Sequence, residues 1–66
     1  MTLLELISAL KTQGTRVKVI DAETDAEIIV FLSQGINGVE GDVSARTVRK
    51  WEITGSSAIT VALETA

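Results

Sequence analysis

Thr2 to Gly14 constrains this chain more than any other stretch, because only there does the apolar spacing keep a helical period. Leu3, Leu6, Ile7 and Leu10 recur at i, i+3, i+4 and i+7, which draws one aliphatic stripe down one side of a helix. Thr2 and Glu5 have the spacing of a capping box, in which each side chain bonds the other residue's backbone N–H. Gly14, after Lys11, Thr12 and Gln13, is placed to end the helix in a left-handed conformation. The expected helix covers about residues 2–13. A helix this short is marginal alone in water, so its stripe must be buried against something. Everything after Gly14 reads as β-structure, and that sheet is the partner.

Thr15 to Asp21 alternates, with Arg16 and Lys18 on one side and Val17 and Val19 on the other, which is the pattern of a half-buried strand. Asp21 to Ala26 supplies short acidic residues suited to a tight turn. The next strand, 27–33, contains Ile28-Ile29-Val30-Phe31-Leu32, apolar on both faces, as expected of a central strand or one covered on both sides. One helix covers one face, so the other requires a loop, a second copy of the chain or a partner. Gln34 to Ser44 reads as a turn-rich connection, with Asn37-Gly38 between Ile36 and Val39 forming a two-residue hairpin turn and a short helical turn near Asp42 to Arg46.

Two further strands follow, 46–54 and 58–64. A three-residue loop, Gly55-Ser56-Ser57, pairs Ile53 with Ile59, Trp51 with Val61 and Arg49 with Leu63, and sets Glu52 against Thr60 and Lys50 against Ala62 on the other face. A one-residue slip would drop Lys50 and Glu52 among the aliphatics. The expected architecture is α+β: a single small domain over residues 1–66, its N-terminal helix packed on a four-stranded antiparallel β-meander, with the first strand at 15–21. Sequential strands are taken as neighbours.

At 66 residues, one core only just offsets chain entropy. Cysteine and histidine are absent, which removes disulfides, thiolate ligands and the commonest catalytic bases. The net charge of −3 gives no general attraction to nucleic acid or anionic lipid. No stretch approaches the roughly 20 apolar residues of a membrane span. No basic region precedes the first apolar run, so a signal peptide is not expected and the location expected is cytoplasmic.

Several patterns invite a chemical reading and fall short of it. Asp21, Glu23, Asp25 and Glu27 alternate like the start of a calcium loop, but Ala26 and Leu32 stand where that loop needs Gly and a bidentate Glu, so a solvated hairpin turn is expected. The Gly35, Gly38 and Gly41 spacing is followed by Asp42 and Val43 rather than the Lys and Ser or Thr of a phosphate loop. Ser56 and Ser57 have no identifiable base. Arg46, Arg49, Lys50 and Trp51 are the one basic cluster with an aromatic, yet a strand splits Arg49 and Trp51 from Lys50.

Taken in order, the TLLELISAL helix, the strand Arg16–Asp21, the DAETD turn, the aliphatic strand, the segment Val48-Arg49-Lys50-Trp51-Glu52-Ile53 and the terminal Ile59-Thr60-Val61-Ala62-Leu63 resemble small uncharacterised proteins of phages and integrated mobile elements of Gram-positive bacteria. The resemblance is one of pattern and order over most of the chain, and it implies no activity.

The expectation is therefore a non-enzymatic protein–protein interaction module without metal or cofactor, forming a homodimer or binding a host or phage protein. Ile29, Phe31, Arg49 and Trp51 are its candidate interaction surface. The alternative is a nucleic-acid accessory protein using Arg16, Lys18, Arg46, Arg49 and Lys50, against which the overall charge argues.

Overall fold

A computed structural model describes residues 1–10 and 14–65. It is α+β, with one sheet of four strands and short helices. Helix α1 spans Leu3–Ala9, β1 Arg16–Asp21, β2 Glu27–Leu32, α2 Gly41–Ser44, β3 Val48–Gly55 and β4 Ala58–Leu63, with a 3-10 helix at Ser33–Gly38. The capping box forms as the spacing required: Glu5 N–H donates to Thr2 Oγ1 at 3.2 Å and Thr2 N–H to Glu5 Oε1 at 2.9 Å. The helix ends earlier than expected, because Leu10 turns extended at φ −75 and ψ 122. Gly14 does adopt a left-handed φ of 82, but beyond that end, and the expected last turn at 11–13 lies outside the described residues.

The sheet is mixed and not an antiparallel meander. Its order is β2-β1-β4-β3, with β1 and β4 parallel and both hairpins antiparallel. The reason lies in which strand most needs cover. Along β4, Ile59, Val61, Ala62 and Leu63 are buried, whereas β3 carries Arg49, Lys50 and Glu52 and is exposed from Arg49 onward. Within that hairpin the apolar strand takes the interior and the charged strand closes one edge, while β2 stands at the other. The segment between β2 and β3 makes this possible by crossing on the same face as α1. Ile36 and Val39 sink into the core there, so Asn37-Gly38 ends a 3-10 helix instead of turning a hairpin. The helical turn expected nearby is present as α2.

Leu3, Leu6 and Ile7 of α1 meet Val17, Val19, Ile59, Val61 and Leu63 of the sheet in one core. Residues paired across strands share a face, so this inner face reads Phe31–Val17–Ile59–Ile53 in one row and Ile29–Val19–Val61–Trp51 in the next. The β3–β4 register agrees with expectation at Ile53–Ile59, Trp51–Val61, Glu52–Thr60 and Lys50–Ala62. Its ends differ. Val48, not Arg49, pairs with Leu63, and Gly55 pairs with Ala58, leaving Ser56-Ser57 as a two-residue turn. A register shift at each end accounts for this; the first brings Val48 against the core and leaves Arg49 in solvent.

Candidate functional site

The four residues expected to form one surface do not lie together. Ile29 and Phe31 are half-buried on β2, at one edge of the inner face, and pack against the core. Trp51 lies on the same face at the opposite edge, three inter-strand steps or roughly 14 Å away. It is 46% exposed, and its neighbour Ile53 is 71% exposed.

The basic residues divide, three sharing one face and two standing apart. Arg16, Lys18 and Lys50 lie on the outer face, Arg49 sits at the β3 irregularity, and Arg46 is committed to structure. Its Nη2 donates to Asp21 Oδ2 at 3.3 Å and to the Glu64 carbonyl at 2.7 Å, and its Nε donates to the same carbonyl at 3.0 Å. Asp21 is the hub of this corner. It accepts the Glu23 N–H at 2.8 Å, the Thr24 N–H at 3.3 Å and the Thr65 hydroxyl at 3.2 Å. These donors, led by the Glu23 N–H, hold the Asp21 carboxyl below the usual range. The acidic alternation thus builds a hairpin turn, which Asp25 completes at φ 60. Among the described residues, no group of three His, Cys, Asp or Glu side chains is placed to hold a metal ion.

What sequence reasoning misplaced is β2. It lies at the edge of the sheet, covered on one face only. The crossing segment that was free to cover its second face packs on the helix side instead. The outer face therefore reads Leu32–Arg16–Ala58–Gly55, then Val30–Lys18–Thr60–Glu52, and Val30 and Leu32 are 43% and 47% exposed. Ile20, Asp25, Lys50, Glu52, Thr60 and Ala62, together with Trp51, line a depression of about 210 Å³. That is below the roughly 300–1,000 Å³ of ordinary small-ligand sites.

The direction of the β2 amides follows from its end. Ser33 donates its N–H to the Thr15 carbonyl of the neighbouring chain segment at 2.8 Å, while Arg16 donates the other way, to Ser57, at 2.8 Å. Backbone groups alternate along a strand, so Ile29 and Phe31 bond inward to β1, and the N–H and C=O of Val30 and Leu32 point out of the sheet.

The two edges differ in how they are defended. The β3 edge carries Arg49, Lys50 and Glu52 and a register shift at each end. Its start is also occupied: Val48 N–H donates to the Met1 carbonyl at 2.8 Å, and Thr47 bridges Thr2. Charges and bulges are the usual devices that stop an edge from pairing. From Ile28 to Leu32, β2 has no charge and no proline, and its one register shift lies near its start, opposite Val19 and Ile20. A sequence signal for this existed in the two-sided apolar run, but it equally fits a central strand. No family model, curated protein or solved structure matches the chain.

Proposed function

We propose that this chain is a non-catalytic protein-interaction module whose working element is β2. The observation that carries the reading is Ile28–Leu32, an unbroken apolar run on an undefended sheet edge, with Val30 and Leu32 nearly half exposed. Full burial of such side chains is worth about 1.5–3 kcal/mol each, so a partner that covers them gains directly. Outward N–H and C=O groups add main-chain hydrogen bonding, as in strand-addition recognition. The absence of histidine and cysteine and the small volume of the depression lined by Lys50 and Trp51 fit a role without chemistry. A protein partner fits better than nucleic acid, because Arg46 is tied to Asp21 and Glu64, and Lys50 shares the outer face of its strand with Glu52.

The test is a selection of peptides from a displayed random library against the immobilised protein, with binders mapped by backbone amide NMR. Selected peptides are expected to shift the signals of Ile28–Leu32. Binders that map elsewhere, or an oligonucleotide that shifts Arg16, Lys18 and Lys50 at low salt, would overturn the reading.

A further inference from the structure

The occupant of the β2 edge can be named from the edge itself, given that the reading of β2 as a binding element holds. We propose that it is a second copy of the same chain, paired antiparallel through β2 about a two-fold axis at Phe31. Val30 and Leu32 are the residues whose backbone groups point outward, and they are two apart. An antiparallel pair centred on Phe31 sets each Val30 opposite the partner's Leu32. Each such pair exchanges two N–H···O=C bonds, so the axis generates four. A pair centred on Val30 would instead need Ile28 to bond the partner's Leu32, and the register shift between Val19 and Ile20 displaces Ile28 from regular pairing.

The side chains agree with the same axis. On the outer face, Val30 meets the partner's Leu32 twice, which covers the two apolar side chains that the monomer leaves most open on β2. On the inner face, Phe31 meets the partner's Phe31 at a non-hydrogen-bonded position, where side chains approach most closely and aromatic pairs are favourable. No charged residue lies between Ile28 and Leu32, so no like charges are brought together at the junction. The association also closes. A two-fold pairing uses both β2 edges, and the outermost strands of the resulting eight-stranded sheet are the two β3 strands, which carry the charges and irregularities.

Sedimentation equilibrium over micromolar to millimolar concentration is the experiment, with circular dichroism to confirm that each variant is folded. The wild type is expected to rise from 7.0 kDa to twice that mass. Val30→Lys, a surface change on an exposed side chain, is expected to weaken the dimer at least tenfold, as is Leu32→Glu. Mixing Val30→Lys with Leu32→Glu is expected to restore a mixed dimer, because the axis at Phe31 sets those two positions face to face. Mixing Val30→Lys with Val30→Glu is expected not to. Rescue by the second mixture and not the first would overturn this pairing. A wild type monomeric at every concentration would overturn self-pairing, while peptides that still map to β2 would keep the binding role of that strand. A dimer untouched by both single variants would overturn the pairing, and peptides that map away from β2 would overturn the role of that strand as well.

Discussion

Leu63 and Leu32 make a paired test of where the core stops. Leu63 is fully buried, while Leu32 is 47% exposed on the outer face. Truncating a buried leucine to alanine removes its transfer free energy and leaves a cavity, costing about 2–5 kcal/mol. Leu32 has only about half of its burial to lose and no cavity to leave, so Leu32→Ala costs about 1 kcal/mol. A domain of this length has roughly 3–10 kcal/mol of stability in total, so Leu63→Ala consumes a large share of it. At roughly 4–8 °C per kcal/mol, a loss of about 3 kcal/mol from Leu63→Ala lowers Tm by more than ~12 °C, and Leu32→Ala lowers it by ~4–8 °C. Urea titrations at low micromolar concentration, followed by the single tryptophan and by circular dichroism, measure both. Equal losses for the two variants would refute the reasoning, because they would mean that the outer face of β2 is already covered within one chain.

Three further outcomes follow from single contacts. Thr2→Ala removes the acceptor of the Glu5 N–H and is expected to cost about 1 kcal/mol by urea titration. Gly14→Ala is expected to cost about 1 kcal/mol because of its φ of 82, with nothing within 4 Å to clash; Gly35→Ala, equally uncrowded and without a positive φ, is expected to be neutral or stabilising by about 0.4–1 kcal/mol. Asp21 and Glu5 are held below their ordinary values by backbone N–H donors from Glu23 and Thr2 respectively. Their contribution is therefore present above the unfolded carboxylate values near ~4 and is lost as pH falls through the folded ones. Asp21→Asn is expected to be less stable than wild type at neutral pH, with the gap narrowing below pH ~4 in thermal melts.

Local patterns were legible in the sequence, and long-range choices were not. The Thr2/Glu5 box, the alternation of Val17 and Val19 and most of the β3–β4 pairing depend on residues close in the chain, and these agree with the fold. Strand order depends on which apolar strand competes best for the interior. β2 reads as the central strand in sequence and 58–64 as the last of a meander, whereas β4 takes the place beside β1 and β2 stands at the edge. Asn37-Gly38 has the composition of a hairpin turn, but burying Ile36 and Val39 outweighs that preference. The register shifts beside Ile28 and Val48 were invisible because alternation alone cannot show where a strand breaks step. The candidate site was half legible for the same reason. The sequence put Ile29 and Phe31 on one strand face, whereas their separation from Trp51 is a property of strand order.

Amide hydrogen exchange along β2 tests the central claim most directly, namely that this strand is an open, pairing-competent edge. In dilute solution Ile29 and Phe31 are expected to be protected by their bonds to β1, while Val30 and Leu32 exchange freely. On raising the concentration, protection is expected to appear at Val30 and Leu32 alone among the strand's amides. Protection of all four in dilute solution would contradict the account, because β2 would then be paired on both sides within a single chain.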